Sequence, residues 1–454
     1  MKKKLLIVNW GTATSINVLR ECVQLKRYDF YLVSTPEITE DIKALFGEEK
    51  IVIANPYDPI VLCEDVSRFM ERNDIRFDVV TTFFEMCVYQ TAFLADYLGI
   101  EKRLCLKDAL NTSVNKYLMR LKVGAAGLLQ PKYFLFDKYL LKEAYGFYRS
   151  LMKDAVIKPV HSGHSYGVRY IKKGMDFGQF KRFIEDAKKD YKQNYDEWMK
   201  YENTKKLQFL LEEFIGGKIY SFDGVIGEED NICFIGSTEF ELSAPPVMKQ
   251  IGHTIPIYSL GTNRINDCKT YVKKVVEALN LRYCGFHCEI KYLSDKPVLI
   301  EISGRLPGGI ITSAYQNLSE YNVIDRFLSV FDQGTRKTII KNKMFYKSET
   351  MRIIYSDKDV GVVRDSAGDV YQESEDFLYK IRSRKEGEEI DEAGNPFGVW
   401  LYEIVLRSKT LSSRELVVER EKLIDRQKIR VESKSRIYKI IRYIARIQNK
   451  LINR

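Results

Sequence analysis

The chain reads as a multidomain protein of α/β and α+β class. Three observations predict this. The first hundred residues alternate apolar strand-like runs with helical spacings, the middle third mixes strands and helices with two glycine-bearing loops, and the stretch after about residue 331 turns strand-rich. At 454 residues the chain exceeds what one hydrophobic core usually serves, so several domains are expected.

Residues 4–9 are apolar and strand-like, and 15–25 have helical spacing. Residues 29–33 and 51–54 read as further strands, 58–73 as a helix, 78–82 as a strand and 87–98 as a helix ending at Gly99. Such alternation implies a parallel sheet with helices on both faces. Only Asn9-Trp10-Gly11 follows the first strand, so the GxGxxG dinucleotide fingerprint is absent. Ligands of an open α/β sheet sit at its strand ends. The polar clusters concentrate in 109–330. From 331 to 425, turn signals at Asp365-Ser366-Ala367-Gly368-Asp369 and Glu392-Ala393-Gly394-Asn395-Pro396 separate strand-like runs.

With 45% apolar and 30% charged residues, the composition is that of an ordinary folded protein. No apolar run reaches the length of a spanning helix, and Leu5-Leu6-Ile7-Val8 behind Lys2-Lys3-Lys4 is too short for a signal-peptide core. Eight scattered cysteines without a CxxC pair fit free thiols in a reducing cytoplasm. The net charge of +10 sits almost wholly at one end: residues 426–454 hold ten Lys/Arg against the single acid Glu432. The body is therefore nearly neutral, and no nucleic-acid partner is expected for it. In the tail, Ile437, Ile440, Ile441, Ile444, Ile447 and Leu451 fall on one helical face and Arg436, Lys439, Arg442, Arg446 and Lys450 on the other. A basic amphipathic helix of this kind suits peripheral contact with an anionic inner-membrane surface or docking on a subunit.

Four segments carry chemistry. Asn115-Lys116-Tyr117-Leu118-Met119-Arg120 places a lysine on a predicted helix. Val156-Ile157-Lys158-Pro159 ends an apolar strand in a lysine, which calls for a nearby anion. The loop that follows, His161-Ser162-Gly163-His164-Ser165-Tyr166-Gly167, offers backbone N–H groups and the hydroxyls of Ser162 and Ser165 to phosphates. Glu212-Glu213-Phe214-Ile215 puts two acids and a free backbone edge where an adenine could be read. Finally, Gly285-Phe286-His287-Cys288-Glu289-Ile290-Lys291 and Val298-Leu299-Ile300-Glu301-Ile302-Ser303-Gly304-Arg305 flank a turn at Ser294-Asp295-Lys296-Pro297. A hairpin there projects Glu289 and Glu301 as a carboxylate pair, the donor set Mg²⁺ takes alongside phosphate oxygens. Arg305 and the backbone of Gly308 and Gly309 follow as donors to anionic oxygen.

Taken in order, these segments resemble the ATP-grasp superfamily over roughly residues 80–330, within its carboxylate–amine ligase branch, which includes bacterial L-amino-acid ligases. The resemblance implies a preATP-grasp (Rossmann-like) domain over 1–108 and an ATP-grasp domain over 109–330 with a lid at about 112–205. A β-rich segment over 331–425 and the terminal helix 426–454 complete the expected organisation. It also implies ATP, with Mg²⁺ or alternatively Mn²⁺, and small carboxylate and amine substrates. Lys116, Lys158, Ser162, Gly163 and Ser165 match phosphate-binding positions, and Glu212, Glu213 and Ile215 the adenine hinge. Glu289, Glu301 and Ser303 match the metal shell, with Ser303 where an Asn is common. Arg305 matches the arginine four residues after the second metal carboxylate; with the Gly308 and Gly309 N–H groups it would stabilise an acyl phosphate, and His287, on the Glu289 face, is expected to contact the transferred phosphoryl. Glu85 resembles an acid at the end of a preATP-grasp strand, and Ile219 stands where many members have a ribose-binding Glu. A biotin-carboxylase-like or carbamoyl-forming enzyme would share the ATP residues. A membrane-surface factor with a vestigial site is the alternative the tail suggests.

Overall fold

The computed structural model describes residues 2–9, 16–100, 107–162, 167–199, 207–227, 232–243, 250–332, 346–355, 360–366, 368–374, 376–391, 400–426 and 430–433. The chain divides into two compact units, one of residues 1–240, 244–248 and 255–345, the other of 241–243, 249–254 and 346–454.

The first unit opens with β1 (Lys4–Val8), α1 (Ile16–Leu25), β2 (Asp29–Ser34), α2 (Glu40–Phe46), β3 (Ile51–Ile53), α3 (Pro59–Asn73), β4 (Val79–Thr81) and α4 (Val88–Tyr97). The strands form a sheet of order β3-β2-β1-β4, parallel throughout as the alternation predicts. Asp58 caps α3 by accepting from the backbone N–H of Ile60 and Val61, with Pro59 at the first helical position. Helix α2 went unread in the sequence because its seven residues bury only Ile42 and Phe46, too few to set a period.

Helices α5 (Lys107–Val114) and α6 (Lys116–Ala125) lead to a four-stranded antiparallel sheet of β5 (Tyr133–Phe136), β6 (Ala155–Pro159), β7 (Arg169–Ile171) and β8 (Phe209–Glu213), in the order β5-β8-β6-β7. Helices α7 (Leu141–Leu151) and α8 (Phe177–Met199) belong to this lid. Their Ala144, Tyr148, Phe180 and Ile184 share a core with Phe136, Ile157 and Phe209. Beside the expected lid of about 112–205, this sheet and its two helices run from Tyr133 to Glu213. Met119 and Val123 of α6 pack in the central core instead, and β8 falls inside the lid because its strand fills the gap between β5 and β6.

The central antiparallel sheet of this unit comprises β9 (Ile219–Ile226), β10 (Ile232–Leu242), β12 (Cys284–Leu293) and β13 (Lys296–Ser303), in the order β13-β12-β9-β10; β11 (Gln250–Ile255) falls almost wholly in the second unit. Helix α9 (Thr262–Ala278) covers one face through Cys268, Val272 and Val275, against Phe222, Cys288, Ile290, Leu299 and Ile302. Helices α10 (Gly309–Leu318) and α11 (Val323–Leu328) follow.

In the second unit, β14 (Ser348–Tyr355), β15 (Val360–Asp365), β16 (Val370–Glu373), β17 (Phe377–Ser383), β18 (Glu389–Asp391) and β19 (Trp400–Ser408) precede α12 (Ser413–Arg426) and β20 (Arg430–Ser433). The strand orders are β11-β14-β19-β17-β16 and β18-β15-β20. The β-rich reading of 331–425 omitted α12, whose Leu416 packs with Ile381, Ile404 and Leu406. The amphipathic helix expected over 426–454 lies outside the described residues from 434 onward. Among the described residues no helix is long and apolar enough to cross a membrane.

Candidate functional site

The carboxylate pair depends on one irregularity. The turn between β12 and β13 is the two-residue kind, with Ser294 and Asp295 both left-handed (φ 48° and 58°). From it the register runs Leu293↔Lys296 to Ile290↔Leu299. Continued regularly, Glu289 would face Ile300 and Glu301 would point to the opposite side, because successive strand residues alternate faces. Instead a β-bulge shifts the pairing to Glu289↔Glu301 and His287↔Ser303. Leu299 and Ile302 both stay in the core, with Ile300 and Glu301 between them. Arg120, fully buried on α6, donates from Nη2 to the Ile300 carbonyl at 2.8 Å and from Nη1 to the Leu299 carbonyl at 3.4 Å. The bulge is thus held at its two carbonyls.

Lys116 is the first residue of α6, behind Asn115, whose side chain accepts from the Tyr117 and Leu118 N–H groups. Its Nζ lies 3.0 Å from Glu301 Oε1 and donates to the Ser162 carbonyl at 2.6 Å. Lys158 reaches Glu212 Oε2 at 2.8 Å from β6, while the other Glu212 oxygen accepts from Arg120 Nε at 2.7 Å. Burial alone would raise the Glu212 pKa, but Arg120 and Lys158 outweigh it and bring the group down to about 2. Glu212 is therefore engaged with two cations as the anchor of Lys158. The side chain of Glu213, the next residue, is directed away from Lys158. It sits on the other side of β8, accepting from the Lys132 N–H at 3.0 Å and pairing with Lys153 at 2.7 Å.

His287 donates from Nδ1 to Asp223 Oδ1 at 2.5 Å, and its Nε2 lies 3.4 Å from Glu289 Oε1. Burial would lower this imidazole; Asp223 first and Glu289 second more than offset that and raise it to about 10. Both carboxylates thus favour the protonated form of the ring. Asp223, fully buried on β9, also accepts from Ser221 Oγ at 2.8 Å and from the Tyr315 hydroxyl on α10. Arg120, Asp223 and Tyr315 were not singled out in the sequence. Arg120 lies one helical turn from Lys116, and Ser221 and Asp223 are the alternate polar positions of an apolar strand; both signals were present.

Ile215 is buried and its carbonyl accepts from Lys291 Nζ at 2.6 Å. Lys291, also overlooked, shares the Glu289 face of β12, and burial first and Lys158 second lower it to about 8. Ser162 is buried, with no partner for its hydroxyl among the described residues; Gly163 and Ser165 lie outside the described residues. Arg305 is turned to the N-terminal sheet, its Nη2 2.5 Å from Glu85 Oε2 and its Nη1 donating to the Leu306 carbonyl at 2.6 Å. Gly308 is the N-cap of α10, so Gly309 begins that helix, where backbone N–H groups lack intrahelical acceptors.

A Mg²⁺ ion suits these residues. Glu289 and Glu301 are paired hard-oxygen donors, and two residues on from Glu301 the buried Ser303 hydroxyl has no hydrogen-bond partner among the described residues. Among the described residues no group of three or more His, Cys, Asp or Glu could hold a metal. Mg²⁺ typically takes one or two carboxylates and completes its shell with phosphate oxygens and water.

Residues 151–314 match the family described as the ATP-grasp domain. Among curated proteins none matches the chain. Several solved structures share its fold. An L-amino acid ligase from Bacillus licheniformis superposes with a TM-score of 0.72 at 15% identity, over 96% of this chain and 99% of that one. A phosphoribosylglycinamide synthetase from Anaerococcus prevotii gives 0.62 at 16% identity, over 95% and 100%. A biotin carboxylase from Campylobacter jejuni, in complex with an ATP analogue, gives 0.67 at 10% identity, over 95% and 93%. Residues 151–314 thus match the ATP-grasp domain, and the chain shares the fold of these enzymes along nearly its whole length.

Proposed function

We propose that this protein is an ATP- and Mg²⁺-dependent ligase that activates a carboxylate as an acyl phosphate and couples it to an amine. The observation that carries this reading is the in-register pair Glu289 and Glu301, with Lys116 3.0 Å from Glu301. Lys158, locked by Glu212, stands on the facing lid sheet. Arg120 links the two halves, since it holds both Glu212, the partner of Lys158, and the Ile300 carbonyl beside Glu301, which supports a shared phosphate site.

The chemistry assigns a role to each group. A carboxylate resists amine attack because it is already an anion with a poor leaving group. One of its oxygens attacks the γ-phosphorus of ATP, the bond to the β-phosphate oxygen breaks, and ADP leaves. The amine nitrogen then attacks the acyl carbon, phosphate departs with its bonding pair, and the amine loses a proton. The protein contributes positioning and charge. Lys116 and Lys158 hold phosphate oxygens. Glu289 and Glu301, with Ser303, hold Mg²⁺, which when bound neutralises the phosphate oxygens. The His287 imidazolium stands ready for the transferred phosphoryl. Arg305 and the N–H groups at Gly308 and Gly309 serve the acyl phosphate and the oxyanion of amine attack.

The substrates are small carboxylates and amines, amino acids among them, as the likeness to an L-amino acid ligase supports. The likeness to a biotin carboxylase keeps bicarbonate as the competing acceptor. Release of ADP and phosphate from Mg-ATP, scored over a panel of amino acids, other acids and amines with bicarbonate as a separate arm, tests both. Stimulation by an acid together with an amine supports ligation. Stimulation by bicarbonate alone replaces it with the carboxylase reading, and no ADP release under any condition sinks the proposal.

A further inference from the structure

Three lysines line this site, and they are not neutralised alike. Lys116 has Glu301 at 3.0 Å and Lys158 has Glu212 at 2.8 Å. Lys291 is as buried as either, at 4% exposure, yet among the described residues its ammonium meets no carboxylate. Its partner is a neutral carbonyl, that of Ile215, at 2.6 Å, and the Phe214 ring centroid lies 5.1 Å away. An ammonium out of water without a counter-charge is costly. One carbonyl takes one of its three protons and leaves two donors.

The surroundings say what would compensate that charge. Lys291 stands on the Glu289 face of β12, two residues beyond Glu289 and directly opposite Ile219 on β9. At position 219 the chain has an apolar side chain, so no acid on the neighbouring strand competes for the ammonium. On one side lies the Phe214-Ile215 hinge and on the other the metal carboxylates; burial and the Lys158 charge disfavour the ammonium more than the charge of Glu289, without a direct contact, favours it. A nucleotide spanning from hinge to carboxylates passes this point with its anionic part.

We propose that Lys291 is a third nucleotide-binding lysine, which donates to a phosphate oxygen of ATP while its bond to the Ile215 carbonyl keeps it aimed between hinge and metal carboxylates. This rests on the ATP-site reading above. It also gives Ile215 a second role, since its carbonyl positions a phosphate ligand.

Calorimetric titration with ADP and, separately, with adenosine decides the matter, using the full chain and its Lys291→Gln and Lys291→Met variants. Melting temperatures verify folding. The expected result is a loss of ADP affinity of about tenfold to a hundredfold, the scale of one charge-assisted hydrogen bond, with adenosine bound as before. The Met variant keeps the packing over Phe214 and serves where Gln perturbs the fold. Equal losses for ADP and adenosine would make Lys291 a hinge support only and overturn the assignment. Unchanged ADP binding in both variants overturns it as well while leaving the ATP site standing. A wild-type chain that binds neither ligand overturns the ATP-site reading and this assignment with it.

Discussion

Arg120 Nη2 donates to the carbonyl of Ile300 at 2.8 Å, fixing the bulged residue of β13. The same guanidinium holds Glu212 through Nε. One side chain on α6 therefore aims both Glu301, by way of the bulge, and Lys158, by way of Glu212. Arg120→Met should strand Glu212 beside Lys158 alone and release the bulge. Breaking a buried pair from one side costs about 3–5 kcal/mol. Urea denaturation of the variant should show that loss, and a loss below about 1 kcal/mol would mean that neither contact matters.

Glu301→Gln keeps the shape of the side chain and removes its charge. Ser303 and Glu289 remain, but the carboxylate pair and the negative charge facing Lys116 do not. ADP release should fall at least about a hundredfold, the scale of losing one transition-state electrostatic contact, and excess Mg²⁺ should restore little of it. A variant that turns over Mg-ATP normally removes Glu301 from the metal shell.

How much of this was written in the sequence differs residue by residue. The hairpin was legible because a two-residue turn separates two apolar alternating runs. The bulge was not, since nothing local in Leu299-Ile300-Glu301-Ile302 marks which residue is extra; strict alternation would have put Glu301 on the wrong face. Lys158 was legible as a buried strand cation in want of an anion, although part of that need is met by Glu212 and not by a ligand. Glu212 and Glu213 read alike as hinge acids, but a strand sends their side chains to opposite faces, so Glu212 meets Lys158 and Arg120 while Glu213 meets Lys153. Asp223 and Lys291 were readable as polar positions at spacing two within apolar strands, but their partners, Tyr315 and the Ile215 carbonyl, come from distant elements.

Arg305 bonds to Glu85 and the Leu306 carbonyl, not to the Glu289 and Glu301 pair. If it acts on the acyl phosphate, Arg305→Ala should lower turnover by about 10²–10³ while ADP binds as in the wild type. Glu85→Gln leaves the guanidinium in place without its counter-ion and should reduce turnover less than Arg305→Ala does. Steady-state kinetics with an active carboxylate–amine pair, alongside ADP titration, check both; equal damage from the two variants would make the ion pair a structural link only.

Asp223 accepts from three groups at once, His287, Ser221 and Tyr315, and is wholly buried. Asp223→Ala removes all three acceptor contacts and leaves the His287 charge and the Tyr315 hydroxyl without them. The expected cost is about 3–5 kcal/mol of stability, readable in a denaturant titration, and a change within about 0.5 kcal/mol would refute the hub.

Acid should test the Glu212 cluster directly. Its folded pKa, about 2, lies below the ordinary 4.5, so the carboxylate contributes stability that is fully present above pH 4.5 and is lost as pH falls through 2. The shift corresponds to about 3 kcal/mol. Glu212→Gln carries no such titration and starts lower, because Arg120 and Lys158 are left with a neutral partner. Denaturant unfolding of both proteins from pH 6 to pH 2 should show the gap between them closing by about that amount. A gap that stays constant across this range would mean that Glu212 is not the anion holding Lys158 and Arg120 together.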